Sequence, residues 1–154
     1  LRSFRFIDQE FRDVSTLLRR HTKTHFKQDY MLLRSIPGIG PIVASGILSE
    51  LGNLRRFSSI KHLAGYVGLA AGIYQSGDTI RHTGVSMRAH RLIRSYFIEA
   101  FWQAIRTDPV MQAYYRKHQG KNVKSVIVKV ARKLLSRTLA VIKTGVPYEI
   151  GVVE

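Results

Sequence analysis

Ile36-Pro37-Gly38-Ile39-Gly40 is the stretch that decides how this chain folds. The approach to it, Tyr30-Met31-Leu32-Leu33-Arg34-Ser35, is apolar with one charge. The exit, Pro41-Ile42-Val43-Ala44-Ser45-Gly46-Ile47-Leu48, is almost wholly apolar. Pro37 disfavours helix at Ile36, and Pro41 suits the first turn of a new helix. Gly38 and Gly40 allow a positive φ or the close approach of another backbone. The stretch therefore predicts helix, tight turn, helix. The turn leads into a helix N-terminus, whose unpaired N–H groups favour an anion. An ordinary αα-hairpin, with glycines that serve packing alone, stays open as the alternative.

Upstream, Phe4, Ile7, Phe11, Val14, Leu18, His21 and His25 follow alternating steps of three and four, with charged residues between them. This is a heptad seam, and it predicts one long helix over residues 1–34, available for pairing with a second chain. His21 and His25 sit one turn apart, a spacing that also suits a metal, but a polar end to the seam explains them. Gly-x-Gly followed by the small Ala44 resembles the helix-hairpin-helix motif. That resemblance implies that Gly38, Ile39 and Gly40 grip nucleic-acid phosphates without reading bases.

Downstream, the polar corner Gly52-Asn53-Leu54-Arg55-Arg56 leads to a helix with an N-cap serine at Ser58 or Ser59, an apolar face of Ile60, Leu63, Ala64 and Val67, and an end at Gly68. Arg55, Arg56, Lys61 and His62 place positive charge near the hairpin. Residues 72–84 are polar and glycine-spaced, with β-prone residues on either side of Gly77-Asp78, and predict a short β-hairpin or structured loop. Helix resumes over 86–107 with Ser86 as cap. Its inner stripe is Ile93, Phe97, Ala100, Phe101, Ala104 and Ile105, and Arg88, Arg91 and Arg94 form a basic ridge. Asp108-Pro109 stops that helix and starts another, which runs to about His118. A last helix over 121–144 turns Val123, Val126, Ile127, Val130, Leu134, Val141 and Ile142 inward. Lys129, Arg132, Lys133 and Arg137 lie among the residues covering its outside, and Gly145 ends it.

The fold class is thus mainly α: a helical body with a helix-hairpin-helix, a short β element near 72–84, and an N-terminal coiled-coil-like helix. Two units are expected, a connector helix over 1–29 and the helical body over 30–150. The chain has 154 residues, the size of one domain, and 25 Lys and Arg against 10 Asp and Glu give a net charge of +15. That excess points to a polyanion, nucleic acid first and an anionic membrane surface second. No apolar run is long enough to span a bilayer, no signal peptide is visible, and the absence of cysteine removes disulfides and thiolate metal sites. A cytoplasmic location is expected. Leu1 in place of Met suggests a piece of a longer chain.

Metal-dependent phosphodiester cleavage needs converging carboxylates, and the ten acids are scattered. No metal site is expected in this chain. A serine nucleophile is the better candidate. Ser76 stands between Gln75 and Gly77, with Arg81, His82 and the arginine ridge downstream to offset charge on phosphate oxygens. A plain turn serine explains the same pattern. Ser86 is a rival whose capping role suffices.

Four segments in order carry a family resemblance: Leu33 to Gly40, Phe57 to Leu69, Tyr74-Gln75-Ser76-Gly77, and Ala131 to Leu135 with Gly145-Val146-Pro147-Tyr148. Together they resemble the C-terminal domain of the bacterial insertion-sequence 110/116/902 transposase family over about residues 30–150. The resemblance implies a DNA recombinase whose C-terminal domain contributes a serine that joins covalently to DNA, and that serine maps onto Ser76. It implies an N-terminal RuvC-like domain whose acids bind a divalent metal such as magnesium, with no counterpart here. It also implies DNA and a guide RNA as partners, and a coiled-coil connector ahead of the domain, through which a homo-oligomer is expected. The candidate nucleic-acid contacts are Gly38, Ile39, Gly40, Arg81, Arg88, Arg91, Arg94, Lys129, Arg132 and Lys133. Departures are Ala70-Ala71, where the family often has Pro, and Ser86-Met87-Arg88-Ala89-His90, which lacks the family's Gly and Asn. The alternative function is a non-catalytic nucleic-acid-binding module, and a dimerisation scaffold is a third.

Overall fold

The structure is a computed structural model that describes residues 2–70, 72–76, 79–83, 90–120 and 122–151, the two strands by their backbone. It is mainly helical, as expected. The elements are α1 (Arg2–His25), α2 (Lys27–Ser35), α3 (Pro41–Leu51), a 3-10 turn (Leu54–Arg56), α4 (Ile60–Val67), β1 (Gly72–Ser76), β2 (Thr79–Thr83), α5 (Arg91–Thr107), α6 (Pro109–His118) and α7 (Val123–Thr144). The strands pair antiparallel, Gly72 with Thr83 through to Ser76 with Thr79. The expected β element is therefore a hairpin.

α7 is the hub of the body. Val130, Ala131, Leu134, Leu135, Thr138, Leu139, Val141 and Ile142 are all buried, because α2, α4, α5, α6 and the 3-10 turn pack around this one helix. α5 lies against it and buries Ile93, Phe97, Ala100, Phe101 and Ala104, the stripe expected from spacing. Local chemistry sets the ends. Ser59 accepts from the His62 amide to start α4, Asp108 accepts from Val110 to start α6, and Gly68 and Gly145 close α4 and α7 in the left-handed region.

Four expectations are corrected. The first helical stretch is not continuous over 1–34. It bends at Phe26 (φ −127°, ψ 38°), whose side chain turns to pack on the core. The α5 helix starts at Arg91, capped by His90, later than the Ser86 start read from sequence; Ser86 itself lies outside the described residues. Val123 was expected to face inward and is exposed, because α7 begins there, before it reaches its neighbours. Arg137 does not cover the outside of α7. It is buried and donates to Asp108 at 2.7 Å and to the Tyr148 hydroxyl. Asp108 thus ties the α5–α6 corner to α7 and to the C-terminal segment, besides capping α6. Burial, and then the hydrogen bond to Asp108, push the Tyr148 hydroxyl well above the usual tyrosine range.

α1 joins the body only at its C-terminal end, where Thr22 and Ser45 share a buried hydrogen bond of 2.9 Å. Ahead of that contact Phe4, Ile7, Phe11 and Val14 stand 60–73 % exposed, a continuous apolar seam.

Candidate functional site

The hairpin turn is built as its residues dictate. Ile36 leaves α2 in an extended conformation, Gly38 takes φ +88°, and Gly40 is the N-cap of α3 with Pro41 at its first position. The Ile39 amide donates to Ile36 O at 3.0 Å, and Arg34 Nη1 donates to Ile39 O at 2.8 Å. Arg34 therefore locks the turn, a role that composition did not suggest.

The three residues of the Gly-x-Gly segment do different work. Gly38 faces the body: a Cβ there would lie 2.1 Å from the Ala100 carbonyl oxygen. Ile39 has its side chain buried and both backbone polar groups engaged. Gly40 faces open space, since a Cβ there would meet nothing within 4 Å. Among the described residues no side chain caps α3, and Pro41 has no N–H, so the Ile42 and Val43 amides at this N-terminus meet no described side-chain acceptor. The turn opens into a groove bordered by Arg34, Ser35, Gln103, Thr107 and Ile150.

Ser76 is the last residue of β1, paired with Thr79, and Arg81 stands two rungs back on β2, opposite Tyr74. Arg88 lies outside the described residues. Arg91 and Arg94 occupy the first turn of α5, which contains no acid. On α7, Lys129 and Lys133 lie one turn apart on the exposed face, and Arg132 is half-buried beside them. The structure thus brings together Arg91 with Arg94, and Lys129 with Arg132 and Lys133, as two separate basic groups. Arg55, counted as surface charge near the hairpin, is engaged instead. It makes two hydrogen bonds to Asp29, at 2.7 and 2.8 Å, and the first effect of that pairing is to raise its pKa further.

Four of the carboxylates are paired with a neighbouring side chain. Asp8 pairs with Arg12, Asp29 with Arg55, Glu50 with His90 and Asp108 with Arg137. Among the described residues no group of three or more His, Asp or Glu is placed to hold a metal ion. The donors present here do not fit the divalent metal that the resemblance implies. His21 and His25 stack at 4.3 Å between ring centroids as neighbours on the exposed side of α1. No helix among the described residues is long and apolar enough to cross a membrane.

Sequence reading also missed the outer face of α4. Lys61, His62, Gly65 and Tyr66 line an open groove there together with Ser58 and Ser59. The available signal was Gly65, a glycine in the middle of a helix.

The chain is similar in sequence to several known proteins. A pilin gene-inverting protein of Moraxella bovis is 34% identical over 122 residues, covering 77% of this chain and 38% of that protein. A 43.6 kDa protein of the insertion element IS110 of Streptomyces coelicolor is 31% identical over 121 residues, 77% of this chain and 30% of its own length. The transposase for insertion sequence element IS1111A of Coxiella burnetii is 25% identical over 91 residues, 59% of this chain and 24% of that protein. The chain thus spans well under half the length of these relatives. Residues 30–116, which run from the last turns of α2 through the hairpin, both strands and α5 into α6, match the transposase IS116/IS110/IS902 family, and the chain belongs to that family.

Proposed function

We propose that this chain is the DNA-binding, serine-bearing C-terminal part of a transposase, with Ser76 as nucleophile. The observation that carries the reading is the place of Ser76: the last residue of β1, paired with Thr79 of β2, inside the segment that matches the family. A hydroxyl at a ribbon tip can be presented to a DNA backbone without disturbing the helical core. The Ser76 oxygen would attack a phosphodiester phosphorus and form a Ser–O–P ester. The bond from phosphorus to the leaving deoxyribose oxygen breaks, and that oxygen takes a proton. Arg81, Arg88, Arg91 and Arg94 are the candidates to offset charge on the non-bridging oxygens. Gly40 and the first turn of α3 would hold a neighbouring phosphate, shaped by Gly38 and Ile39, and Lys129, Arg132 and Lys133 would add long-range attraction.

The remaining parts of the reading follow from the family. Residues 1–29 act as a connector, whose exposed seam pairs with a second copy, and 30–150 as the body. A divalent metal such as magnesium is held by acids of a longer protein; among the described residues no three His, Asp or Glu converge on one point. A guide RNA is a second polyanionic partner, and competition between that RNA and DNA for the chain tests it. The work takes place in the bacterial cytoplasm, where the DNA is.

The experiment is adduct formation. Joined to the upstream part of a longer relative, the chain is expected to form covalent protein–DNA species that survive denaturation. Ser76→Ala abolishes them and leaves DNA binding intact. Adducts that persist in Ser76→Ala refute the nucleophile, and a chain that binds DNA but never forms adducts is a binding module only.

A further inference from the structure

We propose that the outer face of α4 is a second seat for the DNA phosphate backbone, separate from the hairpin and from the Ser76 ribbon. The proposal rests on the DNA-binding reading above and adds a surface to it.

The face follows from helical spacing. Leu63, Ala64 and Val67 are buried with Ile60 packed beside them, so Lys61, His62, Gly65 and Tyr66 point outward in two successive turns. Ser58 closes one end of the groove. Its surroundings are positive. Lys143 reaches across from α7, its Nζ donating to Ser58 O at 3.0 Å. The Arg56 guanidinium lies 4.7 Å from the Phe57 ring centroid and 5.7 Å from that of Tyr66. Among the described residues no carboxylate lines the groove. The one linked to it is Glu50, whose Oε2 is 3.0 Å from His90 Nε2, and the His90 ring lies 6.1 Å from Tyr66. Lys61 stands in the first turn of α4, where the helix dipole disfavours a cation and an anion would relieve it.

Gly65 is the independent observation. Glycine inside a helix costs about 1 kcal/mol relative to alanine. Among the described residues nothing calls for it here: its φ is not positive, and a Cβ would meet no described atom within 4 Å. Its missing side chain bares the α4 backbone in the middle of the basic face, where another backbone can come close. Cations, a half-exposed aromatic ring and a bared backbone together suit a sugar–phosphate chain. DNA is the occupant because the family to which the chain belongs consists of transposases.

The test measures binding of the whole chain to a duplex of about two turns across a salt series. Lys61→Ala is expected to reduce the steepness of log K against log salt by about 0.9, the loss of one phosphate contact. Gly65→Asp, which has open space to occupy, is expected to weaken binding at least about tenfold, with helix content and urea midpoint unchanged. Lys61→Ala, a surface change, keeps the test valid should Gly65→Asp fold poorly. Variants that bind DNA like wild type, slope included, overturn the proposal and leave the hairpin reading standing. Losses confined to RNA overturn the choice of DNA. A wild-type chain that binds no DNA refutes the DNA-binding reading and this surface with it.

Discussion

Gly38→Ala isolates what the hairpin glycine does. The residue has φ +88°, and in that region an L side chain costs about 1–2 kcal/mol. The new methyl would also lie 2.1 Å from Ala100 O, 3.0 Å from Ala100 C and 3.1 Å from Ala104 N. All three are backbone atoms of α5, a helix held in place by buried Phe97 and Phe101, so no side chain can swing aside. Relieving that overlap costs a further amount of about 1–3 kcal/mol, typical of overpacking. The total, about 2–5 kcal/mol, is a large part of the roughly 5–15 kcal/mol that holds a domain together. Urea unfolding followed by helical circular dichroism reads it. With urea slopes of about 1–3 kcal/mol/M, a loss near 3 kcal/mol lowers the midpoint by about 1 M or more. Gly40→Ala is the control, because its φ is −73° and its Cβ has open space. It should lose only about 0.5–1 kcal/mol, the cost of alanine at an N-cap. If Gly38→Ala falls no further than Gly40→Ala, the argument that Gly38 serves the α2–α3 turn's packing on α5 is wrong.

Two further outcomes are expected. The Tyr148 hydroxyl has a raised pKa in the folded chain, so the stability tied to its protonated form is fully present below the unfolded value of 10.0 and declines as pH rises beyond it. Urea midpoints from pH 8 to 11 should therefore fall less steeply in Tyr148→Phe than in wild type, and equal slopes would refute this. Phe11, 60 % exposed on the α1 seam, carries the pairing proposal: Phe11→Glu should shift sedimentation toward monomer without loss of helix, and a wild-type chain already monomeric at high concentration would end that proposal.

What was legible in the sequence was what is local in the fold. The turn at Pro37-Gly38, the Ser59 and Asp108 caps and the glycine stops at 68 and 145 each depend on neighbours within a few residues. The strands on either side of Gly77-Asp78 were legible for the same reason. What was missed is distant. Arg137 looked solvent-facing because helical charge patterns mark cations as outside, yet its partner Asp108 lies 29 residues away. The reason for Gly38 lies at Ala100, on another helix. The bend at Phe26 leaves the heptad spacing intact, so periodicity had no means of showing it. Ser76 was legible as a candidate nucleophile from Gly77 beside it and the arginines downstream, with a plain turn serine as the alternative, and the family resemblance favoured the chemistry.

The same distant contacts bear on how DNA would lie on the chain. Lys143 touches Ser58 at the α4 groove, and five residues later the Tyr148 amide donates to Ser35 Oγ at 2.8 Å, beside the hairpin groove that Ile150 also lines. The chain from Lys143 to Ile150 runs from one groove to the other. Fully extended it reaches at most about 25 Å, at about 3.6 Å per residue. A turn of duplex DNA is about 34–36 Å long. The backbone that links the two grooves is therefore shorter than one turn, which is the geometric reason to test whether a single short duplex meets both. The two glycines of the hairpin stretch differ in the same way: Gly38 fixes the turn onto α5, and Gly40 leaves the α3 N-terminus facing open space.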